Sequence, residues 1–166
     1  METAKTLVNT TLCYIEKDGC FLMLHRTKKQ KDYNHDKWIG IGGKFENGES
    51  PEECALREIY EETGLKIAPC DLEYRGIVTF FADSEYTEFM HLFYAGKFSG
   101  TLRTDCDEGE LEWVPINRLN ELPHWKADEI FIDFVVQRKP FFSLKAVYKN
   151  NELVETRLGG MPYNHW

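Results

Sequence analysis

Apolar residues along this chain follow two spacings, alternating in some stretches and returning every three or four residues in others, and the switches between them predict the elements. Residues 5–15 and 20–25 are apolar and β-rich, and Lys17-Asp18-Gly19 between them carries the Asp-Gly pair of a tight turn. A β-hairpin therefore opens the chain. Residues 26–37 turn polar, with Arg26, Lys28, Lys29, Lys31 and Lys37 set against Asp32 and Asp36, which is the composition of a basic surface loop. Trp38-Ile39-Gly40-Ile41-Gly42-Gly43-Lys44 reads as a short strand whose glycines permit close backbone approach or a positive φ. Alternation returns over 72–81 and 87–98, two strands joined through Ala82-Asp83-Ser84-Glu85. An acidic loop, Asp105-Cys106-Asp107-Glu108-Gly109-Glu110, leads to a short strand at 111–115 and a helical turn within 115–122. Ile130, Phe131, Phe134 and Val135 mark one side of a helix over 125–138 that Pro140 closes and that should pack on the sheet opposite the other helix. Residues 141–148 and 153–158 flank Lys149-Asn150-Asn151-Glu152 as a second hairpin.

The other helix is marked at both ends. Ser50 and Glu53 have the spacing of a capping box, Pro51 stands at the first helical position, and Gly64 suits the left-handed stop, so its limits are 51–63. At about 100° per residue, Glu58, Glu61 and Glu62 fall within an arc of roughly 100°, while Ala55, Leu56, Ile59 and Tyr60 cover much of the other side. Like charges three and four residues apart repel by a few tenths of a kcal/mol per pair, and by more where a cleft excludes water. A hard divalent cation such as Mg²⁺ answers that repulsion, since it takes oxygen ligands and bridges carboxylates to phosphates; a solvated face with Arg57 and nearby lysines as counter-charges is the simpler reading.

Length and charge narrow the function. At 166 residues a single domain over 1–166 is expected, with enough chain to bury a core. A formal charge of −8 argues against a broad basic surface for polymeric nucleic acid, yet allows a small anionic substrate met by bound metal. Cys13, Cys20, Cys54, Cys70 and Cys106 form no C-x-x-C pair and are odd in number, which favours a reducing cytoplasm over a disulfide framework. No apolar run is long enough to span a bilayer and no leader pattern opens the chain, so a cytoplasmic protein without a membrane partner is expected. Monomer and homodimer both remain open.

The spacing around the acidic helix is more specific than any of these. Gly43, Glu49, Arg57, Glu58, Ile59, Glu61, Glu62, Gly64 and Leu65 spell G-x5-E-x7-R-E-U-x-E-E-x-G-U, with U apolar, a pattern that chance supplies on the order of once in a million chains. This box resembles that of the Nudix hydrolases. The resemblance implies a mixed β-sheet between helices, an α/β/α sandwich, and cleavage of a nucleoside diphosphate linked to another group with Mg²⁺ or Mn²⁺. It implies Glu58 and Glu62 as principal metal ligands, Glu61 as ligand or general base, the Gly42 carbonyl as a further metal contact, and Glu108 as an acid reaching the metals from outside the box. Arg57 would orient a carboxylate such as Glu49. His25 or Arg26 and Lys44 would meet the outer phosphates.

The stretch around Trp38, Trp113 and Trp125 looks like the MutT-type branch, which removes oxidised purine triphosphates such as 8-oxo-dGTP from the nucleotide pool and so protects DNA. Trp125 and Asp128 would then contact the base, with core packing the simpler role for Trp113 and Trp38. Vertebrate members of that branch carry Asn after the first Trp and an Asp pair in the later loop; here Ile39 and Ala127-Asp128 stand at those places. Another nucleotide, an unmodified dNTP or a nucleotide sugar, is the alternative substrate. A non-catalytic nucleotide sensor would be expected to lack some of the box glutamates, and none is missing.

Overall fold

The computed structural model describes residues 5–83 and 85–164; Ser84, in the link expected between two strands, lies outside them. The elements are β1 (Thr6–Lys17), β2 (Cys20–Arg26), β3 (Trp38–Ile39), α1 (Pro51–Thr63), β4 (Leu65–Lys66), β5 (Glu73–Ala82), β6 (Tyr86–Ala95), β7 (Ser99–Gly100), β8 (Gly109–Pro115), α2 (Asp128–Val136), β9 (Phe142–Lys149), β10 (Glu152–Leu158) and β11 (Met161–Pro162). The main sheet runs β11-β10-β9-β5-β6-β1-β2-β3, with β8 also on β2. It is mixed: β1 with β6 and β5 with β9 are parallel, and the remaining pairs are antiparallel.

Strand alternation separates two cores. Cys13, Ile15, Leu22 and Leu24 face Ala55 and Ile59 of α1, while Tyr14, Phe21 and Met23 share a cluster with Ile130, Phe131 and Phe134 of α2. The helices therefore lie on opposite faces of the sheet, the expected sandwich. Among the described residues, no helix is long and apolar enough to cross a membrane. All five cysteines are free.

A fork in the sheet positions the site. β1 and β2 pair only next to their turn, at Glu16 with Phe21 and Lys17 with Cys20. Beyond it they part, and residues 38–44 fill the gap: β3 pairs with Leu24 and His25, then Ile41 and Lys44 bridge to Cys13 and Thr10. This stretch is a strand for two residues and isolated bridges thereafter. Its glycines serve close approach alone, since Gly40, Gly42 and Gly43 all avoid positive φ. A side chain at Gly42 would collide with the Thr11 backbone.

The helix ends fall as the capping signals predict. Glu53 N–H donates to Ser50 Oγ (3.1 Å), Ser50 N–H donates to the Glu53 carboxylate (2.7 Å), and Gly64 closes α1 at φ 77°. Two expectations need adjustment, and one element is new. Tyr60 is exposed rather than packed, because α1 buries only the strip through Ala55 and Ile59, leaving the ring to Lys66 and Arg103. The second helix begins at Asp128 instead of 125, since the preceding residues form a turn in which Asp128 N–H bonds the Trp125 carbonyl (3.0 Å). The small β4–β7 sheet has no pattern of its own in the sequence; it forms where Gly64 and Gly100, both at positive φ, let two chain segments meet.

Candidate active site

Arg57 is the hub of the acidic helix. Its Nε and Nη2 both bond Glu49, the latter at 3.0 Å; its Nη1 donates to Glu58 (2.8 Å) and Glu61 (3.1 Å), and Nη2 also reaches the Lys44 carbonyl (3.1 Å). The guanidinium, with the Glu46 N–H behind it, holds Glu49 down at about 2. Burial pushes the Glu58 carboxyl up, and Arg57 opposes that. Gly43 makes room for it, because a Cβ there would sit 2.5–2.7 Å from the Glu58 carboxyl atoms. Glu61 is the exposed member of the set.

Glu62 turns inward. It is only 8% exposed, and its Oε2 has no hydrogen-bond partner among the described residues. Burial first, then the charges of Glu108 and Glu58, push its carboxyl up to about 10. Glu108 arrives through strand register: β8 pairs with β2 along its length and sets Gly109 opposite Arg26, so the preceding acid lands at the strand end beside α1. Gly109 must be glycine, as a Cβ would strike the His25 carbonyl. Glu108 accepts from Arg26 Nη1 at 2.7 Å.

A cavity of about 620 Å³ begins at these acids. Gly42, Gly43, Lys44, Glu58, Arg26 and Glu108 line one end, and Phe80, Trp125, Asp128 and Tyr148 the other, with Ile39 also on the wall. Trp125 is both pocket wall and core, 9% exposed and edge-on to Phe80 and Tyr148. Asp128 is buried, accepts from the Trp125 N–H (3.3 Å), and is pushed by burial up to about 8, which leaves most of it a neutral acid at pH 7. His25 lies outside the cavity wall, its ring stacked on Trp38 at 4.4 Å and its Nε2 2.8 Å from Asp36. Trp113 packs against Phe98 beside the α1 core.

The sequence did not single out Tyr33 and Asn34. Tyr33 stacks on Trp125 (5.0 Å, 18°), and Asn34 Oδ1 accepts from the indole N–H (2.7 Å). An aromatic residue inside a run of lysines and aspartates was the available signal. Phe80 and Tyr148 gave none, since strand aromatics ordinarily read as core.

Residues 6–134 match the NUDIX domain family. The chain belongs to the Nudix family. It is 30% identical over 160 residues to the oxidized purine nucleoside triphosphate hydrolase of Danio rerio, covering 95% of this chain and 96% of that protein. It is also 30% identical over 135 residues to the uncharacterized Nudix hydrolase YvcI of Bacillus subtilis, covering 79% and 80%. Its fold matches the crystal structure of a MutT protein from Bacillus halodurans with a TM-score of 0.79 and 27% identity, over 93% of this chain and 99% of the other.

Nudix hydrolases work with divalent metal ions, and the donor set here fits one. The charges of Glu108 and Glu58 add to burial in pushing the Glu62 carboxyl up, all three offer hard oxygen, and Glu62 Oε2 is buried with no hydrogen-bond partner among the described residues. Gly42 lies between Ile41 and Gly43, whose carbonyls bond to β1, so alternation turns its own carbonyl away from that strand. Among the described residues no three acid, thiol or imidazole groups form a finished cage. Arg57 pairs with Glu58 and Glu61, and Arg26 with Glu108, so each of these acids has a guanidinium partner.

Proposed function

We propose that the enzyme hydrolyses an oxidised purine nucleoside triphosphate, such as 8-oxo-dGTP, to the monophosphate and pyrophosphate with Mg²⁺, or Mn²⁺ in its place. The observation that carries this reading is the single cavity joining an acid cluster at one end to an aromatic pocket with a neutral carboxylic acid at the other. Polyphosphate fits the first and a purine the second. Glu58, Glu62, Glu108 and the Gly42 carbonyl would hold the metal, which when bound neutralises phosphate charge and lowers the pKa of water. Glu61, the accessible acid, held by Arg57 Nη1 at 3.1 Å, would take a proton from the attacking water. Arg57 fixes Glu58 against the loop through Glu49 and keeps the helix acids from splaying. Lys44 on the cavity wall meets the outer phosphates.

At the base end, Trp125, with Tyr33 stacked on it and Lys37 Nζ 4.5 Å from its ring centre, forms an aromatic wall, and Asp128 offers both a donor and an acceptor while protonated, which suits a purine edge. The names of the Danio rerio relative and of the MutT structural neighbour point the same way. Ile39 favours a second reading, a different nucleotide substrate, because it presents no amide to the base from the cavity wall. The test is a panel of 8-oxo-dGTP, dGTP, dATP, dCTP and a nucleotide sugar with Mg²⁺, scored for monophosphate and pyrophosphate. The highest kcat/KM should fall on 8-oxo-dGTP; preference for dGTP over it removes the oxidised-purine reading and leaves the hydrolase.

A further inference from the structure

We infer that Arg26 is a positioning residue: it clasps the roof of the base pocket to the acid loop beside the metal-binding glutamates. From the last residue of β2, its Nε donates to Asp32 Oδ2 at 2.5 Å and its Nη1 to Glu108 Oε2 at 2.7 Å. The Arg26 and Asp32 side chains are only 13% and 11% exposed, so both charges depend on each other for compensation. The other Asp32 oxygen accepts the Asn34 N–H (3.1 Å), and Asn34 Oδ1 in turn accepts the Trp125 indole N–H (2.7 Å). Between them Tyr33 lies flat on Trp125 and edge-on to Phe80. One guanidinium thus begins a hydrogen-bonded chain that ends on the indole forming the pocket wall.

Two features make this an arrangement of parts rather than a loop held by its own neck. The neck exists, since Arg26 N–H donates to the Lys37 carbonyl (3.0 Å) and Asp36 N–H to the Arg26 carbonyl (2.7 Å), but these bonds join backbone to backbone and carry no side chain to the pocket wall. The tip, where Tyr33 and Asn34 sit, is held by the Asp32 bond, by the Lys37 N–H on the Asn34 carbonyl (2.9 Å), by the indole bond to Asn34 and by the Tyr33 ring on Trp125, Phe80 and Tyr86; of these the Asp32 bond leads back to the Arg26 side chain. The far side of the clasp is shared, as Lys28 bonds the Cys106 carbonyl and Lys29 lies 3.7 Å from Glu108. Removing Arg26 would leave Asp32 buried without its cation and Glu108 facing Glu62 with less opposing charge. Pocket roof and acid loop would loosen together, although Arg26 touches no base.

This rests on the proposed purine reading only for its ligand arm. The first readout needs neither ligand nor metal: solvent exchange of the Trp125 indole N–H by ¹⁵N NMR, its signal assigned with Trp125→Phe. Arg26→Gln and Asp32→Asn should each raise that exchange about ten-fold, with α1 amide signals unmoved and Arg26→Lys in between. Asp32→Asn keeps an oxygen for the Asn34 N–H, so it answers the question should Arg26→Gln not fold. The second readout is calorimetric affinity of the metal-free protein for 8-oxo-2′-deoxyguanosine, which carries no phosphate. It should fall about ten-fold in both variants. An unchanged indole in folded Arg26→Gln overturns the clasp. So does loss of affinity for a non-hydrolysable triphosphate with nucleoside binding intact, which would make Arg26 a phosphate contact. A wild type that ignores the nucleoside while the indole responds leaves the clasp standing and removes the purine reading.

Discussion

At the acid end of the cavity every group except Glu108 and Arg26 comes from one continuous stretch, whereas the base end takes Tyr33, Phe80, Trp125, Asp128 and Tyr148 from a loop, two strands and the start of a helix. The chemistry differs as much as the construction. Around α1, charge is balanced by guanidinium groups, with Glu49 held down at about 2 and Glu62 pushed up to about 10 within one helix and its leading loop. Around Trp125 the walls are aromatic, and Asp128 is buried with its carboxyl pushed up to about 8. On the proposed reading, the phosphate chain meets charge that is close but adjustable, and the base meets a fixed shape at the end built into the hydrophobic core.

Breaking the shape should cost the fold most. Trp125→Ala removes an indole packed against Phe80 and Tyr148, and is expected to lower stability by about 3–5 kcal/mol in urea unfolding. A loss under about 1 kcal/mol would mean that the indole walls the pocket without supporting the core.

Breaking the charge should leave the fold and remove the reaction. Glu62→Gln should lower kcat by about 10²-fold or more and shrink the rise in Tm that Mg²⁺ gives the wild type. Because burial raises the Glu62 pKa, its contribution to stability is present below about 4.5 and declines as pH rises toward 10. The metal-free variant, neutral throughout, should therefore be at least as stable as wild type at pH 8. Near-normal turnover in folded Glu62→Gln with saturating Mg²⁺ would remove the charge-cluster reading.

A smaller effect separates base recognition from support. Asp128→Ala should reduce kcat/KM on 8-oxo-dGTP on the order of ten-fold and leave dCTP nearly unchanged; equal loss on both would make Asp128 structural. Its raised pKa gives a second handle. Stability linked to Asp128 is full below about 3.8 and is lost as pH climbs through about 8, so Asp128→Asn should flatten the fall in Tm between those limits.

The smallest change tests the local end alone. Ser50→Ala removes the side chain that caps Glu53 N–H and should lower stability by about 1 kcal/mol, read from the unfolding midpoint.

Much of α1 could be read from sequence because its determinants are local. The capping box, Pro51, Gly64 and the three glutamates lie within a few helical turns, so spacing alone places them. The pairing of Arg57 with Glu49 was legible for the same reason. Tyr60 was misjudged because helix periodicity marks a side without saying how wide a strip the sheet will cover. The late start of α2 was hidden because Trp125 and Ala127 are as apolar as helix residues, and only their packing shows a turn.

The sequence by itself determined the family, the alternation that makes the sheet, and the acidic helix with both its ends. Tertiary structure decided which glutamate is buried: Glu62 owes its raised pKa first to that burial and then to the charge of Glu108, which β8 delivers through its register with β2. It also decided that Arg26 bonds Asp32 and Glu108, that His25 stacks on Trp38 away from the cavity wall, and that Tyr33 and Asn34 roof the pocket. Periodicity sees neighbours along one element; these contacts join different elements and loops, and strand pairing and burial, which no local spacing encodes, bring them together.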